Sequence, residues 1–244
     1  MTTVIEQQSS KVLALLQSEE VLISTENRCV KITAENSETV DELVSNHEVA
    51  DTKVVLHCMH AQERQPEQNV IIRSPSGDTD IIVIMIGKII EKKSQTFIDS
   101  GNGLHRKGLW LSNVDMCEDT KLNLIGFHAF TGKDYISCFF RKSKATCWKI
   151  IEKNPKFRSA FESLGMAWKL SPAVYEMLEE YVCYLYGFRK RNVNEVRYQI
   201  FQRKYSNENK ITDLALLPPC HNVPCYHTSR ANVVARLWKL SNEP

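Results

Sequence analysis

The chain has 244 residues, of which 43% are hydrophobic and 25% are charged, and its formal net charge is +2. This composition is ordinary for a globular protein, and the near-neutral charge excludes a chain that is basic throughout, so any nucleic-acid surface must be local. The longest apolar run, residues 81–90, is interrupted by Lys88 and is shorter than the ~20 residues that cross a bilayer. Several of the eight cysteines lie inside apolar runs, which is typical of free thiols in a reducing compartment. We therefore expect an intracellular protein, in the nucleus or the cytoplasm, with no membrane partner.

The first 45 residues predict a small region of their own. Residues 4–17 carry apolar side chains at helical spacing and predict a short amphipathic helix. Residues 21–24 and 29–33 are rich in β-branched side chains and predict two strands joined by a turn. Residues 34–46 are polar and acidic, and they predict a loop.

A helix is predicted over residues 48–64. Asp51 and Cys58 fall on one face of it with Val54 and Val55, and Glu48 joins that face one turn earlier. Both carboxylates thus lie at the N-terminal end of a core-facing stripe, where the helix dipole favours negative charge.

The next segment predicts a buried parallel strand that ends beside two carboxylates. Residues 70–72 form a short continuous apolar run, as expected of such a strand. A Ser/Pro/Ser/Gly turn follows, and then Asp78 and Asp80. Catalytic groups of parallel α/β folds lie at the carboxyl ends of the strands, and these two aspartates are at that place.

The remaining sequence predicts two more strands and then mostly helices. Residues 96–100 and 108–112 read as strands around a glycine turn, and residues 126–135 as a glycine-punctuated loop that contains Asp134. The alternation of helix and strand in the first ~150 residues indicates an α/β fold with a parallel sheet. The helices predicted beyond it are 145–153, 156–164, 172–186, 193–205 and 229–240.

Each acidic motif also has a plain structural interpretation. Asp78 or Asp80 can cap a helix, the acids of the 48–64 helix can occupy its first turn, and Asp134 can be a cap. A second candidate site, Cys220-His221 with Cys225 and His227, has ligand types for zinc, but its spacing matches no common finger. A Pro/Cys/His-rich connector is the preferred interpretation of that segment.

Taken in order, the acidic motifs resemble the PIN-like nuclease superfamily, in particular its flap-endonuclease-type branch. The four motifs are Glu48-Val-Ala-Asp51, Asp78-Thr-Asp80, Gly132-Lys-Asp134-Tyr135 and Arg141-Lys-Ser-Lys144. They match an acidic helix start, an Asp-x-Asp after a strand, a Gly-x-Asp-Tyr loop and a basic element before a helix.

A group of animal proteins that carry a PIN-like core and are linked to mobile elements is more similar still. The matching stretches are Ser45-Asn-His-Glu-Val-Ala-Asp-Thr52, Asp78-Thr-Asp-Ile81 and His128-Ala-Phe-Thr-Gly-Lys-Asp134. The resemblance covers about residues 18 to 240. It implies a parallel-sheet, three-layer PIN-like core followed by a mostly helical C-terminal region. The implied domains are a remnant over 1–45, the acidic-site core over 46–155 and a helical extension over 156–244.

The resemblance also implies a chemistry, namely hydrolysis of phosphodiesters in DNA or RNA with Mg²⁺ or Mn²⁺, hard cations that prefer oxygen ligands. The implied metal ligands are Glu48, Asp51, Asp78, Asp80 and Asp134. The catalytic residues among them are Asp78, Asp80 and Asp134. The implied nucleic-acid contacts are Lys133, Arg141, Lys142 and Lys144.

Three differences from the pattern of that group support an alternative. Val49 stands where the group has a second glutamate, Lys133 stands where it has a cysteine, and no aspartate precedes Asp41. We therefore expect an N-terminally truncated copy, and a catalytically inactive PIN-like module that binds nucleic acid or protein stays open beside the nuclease.

Overall fold

A computed structural model describes residues 20–25, 28–47, 49–88, 95–205 and 213–243. The helix predicted over residues 4–17 lies outside these ranges. The described residues form two compact units: those up to 82, 95–113 and 240–243 belong to the first, and 83–88, 114–205 and 213–239 belong to the second. The three regions predicted from the sequence stay a prediction.

The first unit contains an antiparallel sheet of three strands, β1 (Glu20–Ser24), β2 (Cys29–Thr33) and β3 (Ser37–Thr39). The first two confirm the predicted hairpin. The stretch predicted as a loop contains β3, a fully exposed polar edge strand that sequence pattern does not distinguish from a loop. Cys29 packs with Leu43 and Leu56 on one side of β2, and Val30 packs with Ile32 on the other.

A second sheet of the same unit consists of β4 (Val70–Ser74), β5 (Thr96–Ser100) and β6 (Lys107–Trp110). β4 and β5 are parallel and β6 is antiparallel, so the prediction of an α/β fold with parallel strands is confirmed at this level. Helix α1 (Ala50–Arg64) precedes β4, and α2 (Thr79–Lys88) lies between β4 and β5 in the chain. β4 is not buried on both faces as predicted, because it is an edge strand whose Ile71 is 68% exposed.

A buried carboxylate, Asp99, joins the three strands of this second sheet. Nε of Arg106 donates to its Oδ1 at 2.8 Å and a terminal nitrogen donates to its Oδ2 at 2.7 Å. Nε of Arg73, opposite Asp99 on β4, lies 3.3 Å from Oδ2. The hydrogen bonds from Arg106 hold the pKa of the Asp99 carboxyl below its ordinary value.

Replacement of Asp99 by Asn should lower the free energy of unfolding at neutral pH. It should also make this free energy depend less on pH in the acidic range. Folding lowers the pKa of this carboxyl, so its ionised form stabilises the fold. The full stabilisation is present above the pKa of the unfolded chain, about 3.9, and it is lost as the pH falls through the pKa of the folded protein. Urea unfolding between about pH 6 and pH 2 measures this. The exposed Asp41→Asn variant is the control, and equal acid dependence of Asp99→Asn and wild type would contradict the assignment.

The second unit is helical. Its helices are α3 (Glu118–Phe130), α4 (Lys144–Lys153), α5 (Arg158–Ser163), α6 (Pro172–Leu185), α7 (Val193–Tyr205) and α8 (Asn222–Lys239). Edge-to-face aromatic contacts fill its core: the Phe161 and Tyr181 rings are 4.9 Å apart, and Phe130 contacts both. Most of the predicted C-terminal helices are thereby confirmed, and α8 begins seven residues earlier than predicted.

The glycine-punctuated loop predicted over residues 126–135 is wrong in its first half. Residues 126–130 form the last turns of α3, and Gly126 is buried where α3 meets α5. The glycine permits close approach of two helices instead of a turn. None of the helices that the structure describes has the length and apolar character needed to span a bilayer.

Candidate metal centre

Three of the five predicted metal ligands meet at one place in the first unit. One carboxylate oxygen of each of Asp51, Asp78 and Asp80 lies within 4.8 Å of the other two. Asp80 is only 5% exposed, and the other two are half-buried. The starts of α1 and α2, which are 29 residues apart in the sequence, supply these side chains.

The turn after β4 places two of the three acids. The carbonyl of Ser74, the last residue of β4, accepts the N–H of Gly77 at 3.2 Å and that of Gly101 at 2.8 Å. Both glycines have a positive φ, of 74° and 82°, which side chains other than glycine rarely adopt. The turn therefore holds the carboxyl ends of the parallel pair together and starts α2 directly above them.

Asp78 is also the cap of α2, so the structural interpretation of this residue holds as well. Its Oδ1 accepts the backbone N–H of Asp80 at 2.9 Å, which satisfies one of the unpaired donors at the helix start. An ionised carboxylate has about four acceptor positions, so one capping bond leaves room for a cation. Cap and ligand are compatible roles at this position.

The chemistry of the three side chains fits a hard divalent cation. All donors are carboxylate oxygens, the ligand type of Mg²⁺ and Mn²⁺. Negative groups this close repel one another, and this repulsion is stronger where water is partly excluded. The N-terminal ends of α1 and α2 offset part of it, and a bound cation would reduce it further.

The other predicted ligands are not part of this group. Glu48 lies outside the described residues. Asp134 belongs to the second unit, where it is exposed in a tight turn closed by reciprocal backbone bonds between Lys133 and Ile136. Nζ of Lys133 lies 4.5 Å from the centroid of the Trp238 ring.

The predicted nucleic-acid contacts have two different surroundings. Nζ of Lys144 donates to the carbonyls of His128 and Gly132, at 2.9 and 2.6 Å, at the C-terminal end of α3. Arg141 and Lys142 instead line a cavity of about 320 Å³ in the second unit. Lys144 is thus in a helix-capping position, and the other two face a space that a ligand can enter.

Asp99 and the cavity residue Arg203 were not predicted from the sequence. A signal existed for Asp99, since a charged residue stands inside the strand-like run Thr96–Ser100. Arg203 had none, because it comes close to Lys142 only through the packing of α7.

The candidate zinc site does not assemble. Nε2 of His227 lies 2.7 Å from the carbonyl of Phe130, and Nδ1 of His221 lies 3.0 Å from Glu179. His227 and Cys225 lie within α8, so the segment is only partly a connector. Among the described residues, Asp51, Asp78 and Asp80 are the group of His, Cys, Asp and Glu side chains close enough to share a metal ion.

Comparison of the chain with protein-family models, with curated proteins and with solved structures found no match.

Proposed function

We propose that the chain carries a PIN-like nuclease core that hydrolyses phosphodiester bonds of nucleic acid with the aid of Mg²⁺ or Mn²⁺. The convergence of Asp51, Asp78 and Asp80 within 4.8 Å, at the carboxyl end of the parallel strand β4, carries this proposal. The three-layer core and the link to mobile-element proteins belong to the same proposal. They rest on the order of the acidic motifs, and the parallel β4–β5 pair with α1 and α2 is compatible with such a core.

Each acid has a stated part in this function. Asp80 is the most buried of the three and would hold the cation where water is scarce. Asp78, fixed by its capping bond, and Asp51, at the start of α1, would complete the oxygen ligands from opposite helices. When bound, the cation supplies positive charge that stabilises the charge developing on the phosphodiester oxygens.

A catalytically inactive PIN-like module is the second proposal. The observation that favours it is the capping bond of Asp78, because three carboxylates at two helix starts are stabilised there without any metal. In that case the chain would bind nucleic acid or protein through other surfaces. The two proposals differ in whether the cluster binds a divalent cation.

Isothermal titration with Mn²⁺ should show one cation bound at the cluster, with an affinity that falls at least about 10-fold in Asp80→Asn. Asp41→Asn, which removes an exposed carboxylate of the same unit, is the matched control and should titrate as wild type. Equal binding by Asp80→Asn and wild type, or no binding by either, would contradict the nuclease proposal.

A further inference from the structure

A second site, which we call the cationic pocket, lies in the helical unit. It is a cavity of about 320 Å³ between the loop before α4, the end of α6 and one face of α7. Its principal residues are Phe140, Arg141, Lys142, Tyr186, Phe188 and Arg203. It therefore combines three positive side chains with three aromatic rings, and none of the described residues that line it is a carboxylate.

The three cations of the pocket have no ion pair with an acid among the described residues. Within the part of the chain that the structure describes, no carboxylate lies within ion-pair distance of Arg141, Lys142 or Arg203. Like charges that converge on one small cavity repel one another, and the repulsion is greater where protein replaces water. An anion in the cavity would remove this cost.

Each cation packs on an aromatic ring, which fixes its position. The Arg141 guanidinium carbon lies 5.3 Å from the Phe140 ring centroid, and that of Arg203 lies 5.4 Å from Phe188. Nζ of Lys142 lies 4.8 Å from the centroid of Tyr186. A guanidinium that stacks on a ring keeps its N–H donors in its own plane, free for the oxygens of a phosphate. The stacking thus orders the donors before any ligand arrives.

The backbone at Arg141 is strained. Its φ of 55° is the only positive value among described residues other than glycine, and this region costs an L-residue roughly 1 kcal/mol or more. Such strain persists where the surroundings hold the chain in place and is common at ligand sites. The residue before Arg141 is Phe140, and its side chain is 42% exposed.

We propose that the cationic pocket binds a phosphate and an adjoining base of single-stranded nucleic acid. The three cations would contact the phosphate and the exposed Phe140 ring would stack on the base, the combination by which single strands are held without sequence preference. In a duplex the bases are stacked inside the helix and cannot stack on the ring. A phosphorylated peptide has no base to stack on it. This inference goes beyond the proposed nuclease, because binding at this pocket needs neither a divalent cation nor hydrolysis.

Fluorescence anisotropy with a labelled 20-nucleotide oligothymidylate, in EDTA, tests the phosphate contacts. The Lys142→Gln/Arg203→Gln variant should bind about 10-fold more weakly, and the slope of log K against log salt should fall by about 1.4 in magnitude, since each single-strand phosphate contact contributes about 0.7. The control is Lys153→Gln/Lys169→Gln, which removes the same charge from two exposed lysines of the same unit outside the pocket. An equal loss in the control would overturn the pocket as the binding site.

The ring is tested separately. Phe140→Leu should weaken binding about 5-fold or more with an unchanged salt slope, while Phe140→Tyr, which keeps the ring, should bind as wild type. Wild-type affinity in Phe140→Leu, or equal competition by a duplex or by a phosphorylated peptide, would overturn single-stranded nucleic acid as the ligand. Oligothymidylate binding is measured in EDTA and Mn²⁺ binding by titration calorimetry, so failure of the nuclease proposal and failure of this one give different results.

Discussion

Replacement of Asp80 by Asn should reduce Mn²⁺-dependent cleavage of single-stranded or flap DNA and RNA by about 100-fold or more, the usual effect of removing a group that stabilises developing charge. The reason is its position, since it is 5% exposed and its carboxylate lies within 4.8 Å of two others. Asn keeps the shape of the side chain and removes its charge. Cleavage of labelled substrates, followed at several Mn²⁺ concentrations, measures the change.

Asp78→Asn gives a second, cleaner variant for the same experiment. Asn caps helices about as well as Asp, so the start of α2 should remain formed while the ligand charge is lost. In EDTA its melting temperature should therefore stay close to that of wild type. With Mn²⁺ at about 100 times its dissociation constant, wild type should gain about 2.7 kcal/mol of stability that the variant does not gain. Unchanged cleavage in Asp78→Asn/Asp80→Asn would show that these residues are not the catalytic ones.

The central part of this site was predictable because two local rules act on the same residues. A short apolar run followed by a Ser/Pro/Gly turn predicts a parallel strand with Asp78 directly after the turn, and helical spacing places Asp51 at the start of α1. The proximity of Asp51 to Asp78 could be expected, since both residues are predicted at the ends of secondary-structure elements near the sheet. The 4.8 Å separation depends on the turn bonds of Ser74 and could not be predicted.

Long-range packing decided the parts that the sequence did not reveal. Nothing local distinguishes Lys144, whose ammonium group caps α3, from Lys142, which lines the cationic pocket. Ile71 has the side chain of a core residue, yet it is exposed because it lies with Arg73 on the uncovered face of β4. Gly126 has the residue type of a turn, and only its packing partner shows that it belongs to a helix interface.

That packing makes Gly126→Ala a strongly destabilising substitution. A Cβ at this position would lie 2.1 Å from the carbonyl oxygen of Phe161 and 2.9 Å from Cβ of Leu164. Neither neighbour can move easily: both residues are fully buried, and the Phe161 carbonyl accepts the Leu164 N–H. The helices α3 and α5 must therefore separate, which opens the aromatic core around Phe161.

We expect Gly126→Ala to lower the free energy of unfolding by about 2 kcal/mol or more, within the range for overpacked cores. This is a net value, because alanine in a helix gains about 1 kcal/mol over glycine, and the clash must exceed that gain. Gly187→Ala is the control: nothing lies within 4 Å of the added Cβ, so only its positive φ of 86° acts, at about 1 kcal/mol. Thermal unfolding of the three proteins gives the comparison. A Gly126→Ala melting temperature at or above that of wild type would contradict the close approach of α3 and α5. The destabilisation by the clash would then be smaller than the stabilisation of the helix by alanine.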